Sequence, residues 1–366
     1  MRVTQVDLFP VALPLVHEFE TSSHRKASIE HILVRFTDES GECGWGEIAS
    51  PSDPYYCAET VETAQLIAAR YLRPLTLDYE WREPHELATR LNQVRGHEFA
   101  KAGFDIAAWD LFSRLRGVSL SKALGGTRSQ VAAGVSLGIE PTIDALLGQI
   151  QHHVDGGYSR VKLKIKPGWD VEPVRAARAG FPNVLLHVDA NGGYSPHRSS
   201  VDHLAKLDAF DLAMIEQPFA AREFVAHANL RQAIATPVCL DESIVDLGDL
   251  RTMIALDAGT VLNIKVSRMG GLTAALTAYE LATAEGIAVW CGGMHEFGVG
   301  RAANIALCSL AGFDYPSDVS GSDKYYALDV IEPAVVAEAG VVQVPLGAGI
   351  GHDVIFSRVD QAKAGA

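Results

Sequence analysis

The stretch "VKLKIKPG", Val161 to Gly168, decides how the chain is read. Successive side chains on a β-strand point to opposite faces. Lys162, Lys164 and Lys166 therefore share one face, and Leu163 and Ile165 share the other. On a surface strand this pattern puts lysines in water and aliphatics in the core. Inside a closed barrel it aims ammonium groups at the centre. The flanking sequence chooses between the two.

From about Val131 onward, short apolar runs alternate with helical stretches. The runs are "VAAGVSLGI", "RVKLKI", "NVLLHVD", "LAMIEQP", "PVCLDES", "TVLNIKV" and "IAVWCGG". Between them lie segments such as "TIDALLGQIQHHVDGG" and "TAALTAYELATAEG". Such βαβα repetition implies a parallel sheet. About seven or eight units fit a closed (β/α) barrel better than an open sheet. The polar residues near the ends of five successive runs are Lys164, Asp189, Glu216, Asp241 and Lys265, spaced 25, 27, 25 and 24 residues apart. A strand, a helix and two loops take that much chain. Each residue thus sits at the C-terminal end of its strand, the face where barrel enzymes place their chemistry. Lys162 and Lys164 then point inward near the mouth, and Lys166 lies past the strand end. One acid at a strand end is often only a helix N-cap; five ionisable residues in phase form a site.

The first part of the chain has a different texture. "VTQVDLFPVAL" and "ASIEHILVRFT" alternate like antiparallel strands, and "DESGECGWGE" supplies a turn. From about Ala58 to Leu124 the apolar spacing becomes helical. The expected architecture is α/β: a modified (β/α)8 TIM barrel over residues 126–320 with an α+β N-terminal capping domain over residues 1–125. The last segment, about 321–366, breaks the barrel rhythm and is expected to complete the capping domain.

Composition narrows the function. The chain has 366 residues and a formal net charge of -14, which disfavours nucleic acid and anionic membranes as partners. No apolar run approaches the roughly 18 residues of a membrane span. The five cysteines are scattered without a CxxC pair, which points to a reducing compartment and a cytoplasmic protein. The N-terminus, interrupted by Pro10 and Pro14, reads as strand rather than as a signal peptide.

Three convergent carboxylates repel one another unless a cation neutralises them. Asp189, Glu216 and Asp241 offer only oxygen, which selects a hard ion: Mg²⁺, with Mn²⁺ as the alternative. A lysine on either side of such an ion suggests abstraction of a proton α to a carboxylate, through an enediolate. The expected partner is a small-molecule carboxylate substrate, and the expected assembly a homo-oligomer.

"GWGE" (Gly44 to Glu47), "KLKIKPGWD", "VDAN", "IEQP", "CLDES", "NIKVSRMGG" and "CGGMHEFGVGRAAN" together resemble the enolase superfamily. Within its muconate-lactonising subgroup, the chain resembles the o-succinylbenzoate synthase/N-succinylamino acid racemase family over essentially its whole length. The resemblance implies metal ligands at Asp189, Glu216 and Asp241. It implies acid/base lysines at Lys164 and Lys265, with Lys162 as electrostatic support. It implies pocket positions at Ser136, Asn191, Arg268, Gly293 and Met294. It makes N-succinylamino acid racemase or o-succinylbenzoate synthase activity the expectation, with a muconate-type cycloisomerase or another acyl-amino-acid or dipeptide epimerase as the alternative. His295 and Phe297 stand where relatives usually carry an aliphatic and a small polar residue. "DVSGSD" (Asp318 to Asp323) lacks the DxD pair with which dipeptide epimerases hold an α-ammonium group.

The loops near Phe19 to Lys26 and Pro51 to Tyr56 are expected over the barrel mouth, with Phe19 and Tyr55 against substrate, because an enediolate needs water excluded. Arg268, three residues past Lys265, is expected to depress that lysine's pKa and so support racemisation. His152-His153 reads as helix surface. Gly298-Val-Gly300 lacks the third glycine of a phosphate loop. Cys291 reads as a small buried side chain. A Schiff-base barrel enzyme using Lys265 is opposed by the carboxylate triad. A non-catalytic barrel is opposed by the intact set of acids and lysines.

Overall fold

The computed structural model describes residues 1–20 and 25–363; the side chains of residues 18–20 and 25 are outside the description. Strands β1 (Val3–Glu20), β2 (Arg25–Asp38) and β3 (Cys43–Ile48) form an antiparallel sheet in that order. A helix, Glu98–Leu115, lies across β3 and is buried over almost its whole length, as its apolar, small-residue sequence requires. The glycines of "GWGE" let it approach. A Cβ at Gly46 would stand 1.9 Å from the Gly103 carbonyl oxygen, and one at Gly44 would stand 2.4 Å from that of Ala107.

After the short strand β4 (Gln130–Ala132) come seven strands: β5 (Val135–Leu137), β6 (Arg160–Lys164), β7 (Leu185–Asp189), β8 (Met214–Glu216), β9 (Val238–Leu240), β10 (Val261–Ile264) and β11 (Ala288–Cys291). They form one parallel sheet in sequence order, with helices as crossovers. The curled sheet is closed by two residues rather than by a full eighth strand. Asp318 N–H donates to the Cys291 carbonyl at 2.8 Å, Ser317 N–H to Ala132 at 3.0 Å, and Gly134 N–H to Ser317 at 2.8 Å. Pro316 immediately before has no N–H to extend that ladder.

The tail returns to the first 125 residues. Val341–Gln343 pairs with β4, Ile350 N–H donates to Asp110 Oδ1 at 2.7 Å, and Ala12 N–H donates to the Ala362 carbonyl at 2.8 Å. Among the described residues no helix is long and apolar enough to cross a membrane.

Candidate active site

Register builds the site. Lys164 pairs with Asp189, and Asp189 with Glu216, so these three residues stand level on β6, β7 and β8. Cys239 is level with Glu216 on β9, and Asp241 lies two residues further on, on the same face. Lys265 follows the end of β10. Five adjacent strands thus present Lys164, Asp189, Glu216, Asp241 and Lys265 around one rim, with the two lysines at its opposite ends. Lys162 belongs to the layer beneath and is buried, while Lys166 is exposed past the strand.

Each acid meets a cation. Lys164 Nζ is 2.6 Å from Asp189 Oδ2. Lys162 Nζ lies 3.2 Å from Glu216, 3.3 Å from Asp318 and 3.5 Å from Asp189. Lys265 Nζ is 3.0 Å from Asp241 Oδ2, and Arg268 Nη1 donates to Asp241 Oδ1. Burial opposes charge on Lys162, but Asp318, Glu216 and Asp189 outweigh it and hold its pKa well above the ordinary value. Burial would raise Asp241, yet Lys265, Arg268 and Lys162 bring it below the usual carboxylate range.

One acid on the rim lacks full compensation. Glu242 Oε1 accepts from Asn191 Nδ2 at 2.8 Å, while its buried Oε2 has no partner. Burial, then the charges of Asp241 and Asp189, push its carboxyl up to about 7. The rim is therefore rich in oxygen donors and short of positive charge at Glu242, which fits a hard divalent cation. With basic side chains between the acids, no group of three acids or histidines encloses a single point among the described residues.

A cavity of 1240 Å³ opens above this rim. Lys162, Lys164, Asp189, Asp241, Glu242 and Lys265 line its floor, with Ser136, Asn191, Gly293 and Met294 around them. Ser136 Oγ donates to Asp318 at 3.2 Å, and Asn191 Oδ1 accepts from Lys164. The first domain contributes Lys26, His31, Pro51, Ser52, Tyr55 and Tyr56. The expectation for the Phe19 side chain lies outside the described residues.

Several readings change. Burial, the largest effect, and Arg268 both act to lower the Lys265 pKa, but Asp241, Tyr56 and Glu242 together outweigh them, and the net shift is upward. Nor does Arg268 line the cavity. It is 2 % exposed and donates to the carbonyls of Ile244 and Asn263 at 2.9 and 3.0 Å. Tyr55 is 70 % exposed at the rim, and its neighbour Tyr56 is the one that reaches in, its hydroxyl 3.3 Å from Lys265 Nζ and 3.0 Å from Arg268 Nη1. Phe297 is buried against Tyr326 and His31 instead of shaping the pocket. His152 is exposed on the helix surface, as read, but it and the half-buried His153 also border the cavity, and burial lowers the His153 pKa to about 4. Asp318 was not singled out, because it ends no apolar run; only barrel closure brings it beside Lys162.

A capped parallel barrel whose rim sets three acids between two lysines is the architecture of the enolase superfamily. Residues 145–357 match the family described as Enolase C-terminal domain-like, and residues 3–125 match the Mandelate racemase / muconate lactonizing enzyme N-terminal domain. The o-succinylbenzoate synthase of Geobacillus kaustophilus is 42% identical over 99% of this chain and 96% of its own. The N-succinylamino acid racemase of an Amycolatopsis species is 42% identical over 99% and 97%. A solved enolase-superfamily member from Listeria innocua superposes with a TM-score of 0.97 at 36% identity, covering 100% of this chain and 98% of that one. Muconate lactonizing enzyme from Pseudomonas fluorescens shares the fold, with a TM-score of 0.94 at 22% identity over 99% of each chain. The chain therefore belongs to the o-succinylbenzoate synthase/N-succinylamino acid racemase family of the enolase superfamily. Members of that superfamily are generally divalent-metal-dependent enzymes.

Proposed function

We propose that this protein removes the proton α to the carboxylate of a small substrate, acting as an N-succinylamino acid racemase, an o-succinylbenzoate synthase, or both. The observation that carries the reading is the placement of Lys164 and Lys265 at opposite ends of one acid-lined rim. The names of the full-length relatives support it. Asp189, Glu216 and Asp241 would hold a divalent cation, Mg²⁺ or Mn²⁺, with Lys265 and Arg268 giving up their contacts to Asp241. When bound, the cation would take the substrate carboxylate and offset the charge that develops as the α-proton leaves.

The chain's own groups divide the remaining work. Lys164 Nζ and Lys265 Nζ face the substrate from opposite sides, so one can take the α-proton and the other return it to the opposite face. Dehydration needs only one of them. Lys162 stays cationic between Glu216, Asp189 and Asp318 and supplies fixed positive charge below the reacting carbon. Tyr56 orients Lys265, and the loop from Pro51 to Tyr56 helps exclude water. In this reading residues 1–125 with 321–366 form the cap and residues 126–320 the catalytic barrel.

The test is α-proton exchange by NMR in D₂O with N-succinyl-L-phenylalanine and Mg²⁺, alongside polarimetry and the ultraviolet absorbance of o-succinylbenzoate. Exchange with inversion identifies the racemase, and growth of the aromatic absorbance identifies the synthase. Absence of both signals rejects the proposal.

A further inference from the structure

Gln217 directly follows Glu216, and no step of the proton transfer uses it. It is fully buried, and its backbone turns into the left-handed region at φ 40°. That conformation is uncommon outside glycine and persists where surrounding bonds over-determine it. Up to this residue β8 and β9 form a regular parallel ladder. Ile215 N–H donates to the Pro237 carbonyl at 2.9 Å, and Gln217 N–H to the Cys239 carbonyl at 2.9 Å. The next rung of such a ladder would put the Asp241 N–H on the Gln217 carbonyl. The left-handed turn aims that carbonyl instead at the Gly192 N–H, 2.7 Å away on the loop that follows β7. Pro218 has no N–H with which to carry the ladder on from β8.

The side chain supplies the missing rung. Gln217 Oε1 accepts the Asp241 N–H at 2.9 Å and the Ser243 N–H at 3.2 Å. Its Nε2 donates to Ser243 Oγ at 2.7 Å and to the Phe219 carbonyl at 2.9 Å. Both lone pairs of the amide oxygen and both amide hydrogens are thus used, along with the backbone N–H and carbonyl. A buried amide so fully bonded is held in one orientation. One residue therefore ties together the chain beyond Asp189, the strand end that carries Glu216, and the chain at Asp241. These bonds differ in kind from those of the rim cations. Lys265 and Arg268 hold Asp241 by its carboxylate, and those contacts give way when a cation is loaded. Gln217 holds the backbone and has no need to move.

We infer that Gln217 is a positioning residue whose side-chain amide fixes the spacing of Asp189, Glu216 and Asp241, and so makes the rim select a small cation, Mg²⁺, over a large one, Ca²⁺. The inference rests on the proposed function for the identity of the metal ligands. Mg²⁺ demands near-octahedral geometry with oxygens at about 2.0–2.1 Å, whereas Ca²⁺ accepts more oxygens at about 2.3–2.6 Å in looser arrangements. Acids on a clamped backbone favour the first ion. Acids on loosened loops lose Mg²⁺ more than Ca²⁺.

The experiment titrates Mg²⁺ and Ca²⁺ separately into the chelator-treated full chain by calorimetry and reads the ratio of the two dissociation constants, without turnover. Gln217→Met keeps the length of the side chain and removes its hydrogen bonds to Asp241, Ser243 and Phe219. Partners that orient metal ligands are worth a factor of about 10 to 100 in affinity, so the preference for Mg²⁺ over Ca²⁺ should fall about 10- to 100-fold. Gln217→Glu keeps an acceptor for the Asp241 and Ser243 N–H groups, and its added charge attracts both cations, so the ratio should return close to that of the wild type. Ser243→Ala removes one of the two Nε2 acceptors and should shift the ratio the same way by less. It decides the matter if Gln217→Met does not fold. An unchanged ratio in the folded variant, or an equal fall in both affinities, overturns the role of Gln217 even if Tm drops, and leaves the metal assignment standing. If the wild type binds neither ion, the metal assignment and the inference fall together.

Discussion

Glu47 ends the "GWGE" stretch of the first domain, but the two backbone N–H groups it accepts from lie in the barrel. It is fully buried, and Oε1 accepts the Phe297 N–H at 2.8 Å while Oε2 accepts the Gly300 N–H at 2.8 Å. His31 Nδ1 sits 2.7 Å from Oε1. One carboxylate thus caps the barrel helix Gly298–Cys308 from the other domain, and anchors the loop that carries Gly293 and Met294 into the cavity. In Glu47→Ala the two N–H groups lose their acceptor and His31 its partner. Each of the two N–H bonds to the carboxylate contributes about 1.5–3 kcal/mol, so the loss is about 3–6 kcal/mol. Unfolding entropy of about 2.1 cal/mol/K per residue makes roughly 0.8 kcal/mol/K for a chain of 366 residues. Tm should therefore drop by about 4–8 °C in calorimetry. Glu47→Gln should recover little of this, because whichever way the amide is turned, its NH₂ faces a backbone N–H. KM should rise more than kcat falls, since the anchored loop shapes the pocket and carries no acid or base. A Tm within 1 °C of wild type in both variants would refute the reasoning.

Chelation should abolish α-proton exchange, and Mg²⁺ or Mn²⁺ should restore it; full activity of Glu216→Gln after exhaustive chelation would sink the metal assignment. Tyr56→Phe removes a hydroxyl bonded to both Lys265 and Arg268, and should slow exchange on the Lys265 face several-fold more than on the Lys164 face, read by stereospecific deuterium incorporation. Asp105 accepts from Thr273 N–H and Oγ1 across the domain interface, and burial raises its pKa from 3.8 to about 7. The native state then holds a proton that the unfolded chain has lost, so its contribution to stability is full below pH 3.8 and is lost as pH rises toward 7. Asp105→Asn should flatten that part of the Tm–pH curve, and an unchanged slope would remove Asp105 as its source.

Parallel register carried the sequence reading a long way. Because neighbouring strands pair level, an ionisable residue repeated every 24 to 27 residues becomes a row of neighbours in space, as Lys164, Asp189 and Glu216 show. Periodicity is a one-dimensional signal, and it finds whatever is spaced along the chain by whole βα units. Asp318 has no such spacing. It reaches Lys162 only because Pro316 cuts the eighth strand to two residues, which hydrogen-bond to Ala132, Gly134 and Cys291 at the seam of the barrel. Tyr56 arrives from the other domain, and its separation from Lys265 along the chain carries no period at all.

Arg268 shows a second limit, one of sign rather than of place. Its position three residues beyond Lys265 was legible, and so was the repulsion between two cations. What spacing could not weigh was Asp241, which lies between them, 3.0 Å from Lys265 Nζ and bonded to Arg268 Nη1. An anion held between two buried cations stabilises the charged form of both, and that attraction exceeds the repulsion across it. The pKa of Lys265 therefore depends on what Asp241 binds, so occupation of the acid rim and the basicity of its flanking lysine are linked through one side chain.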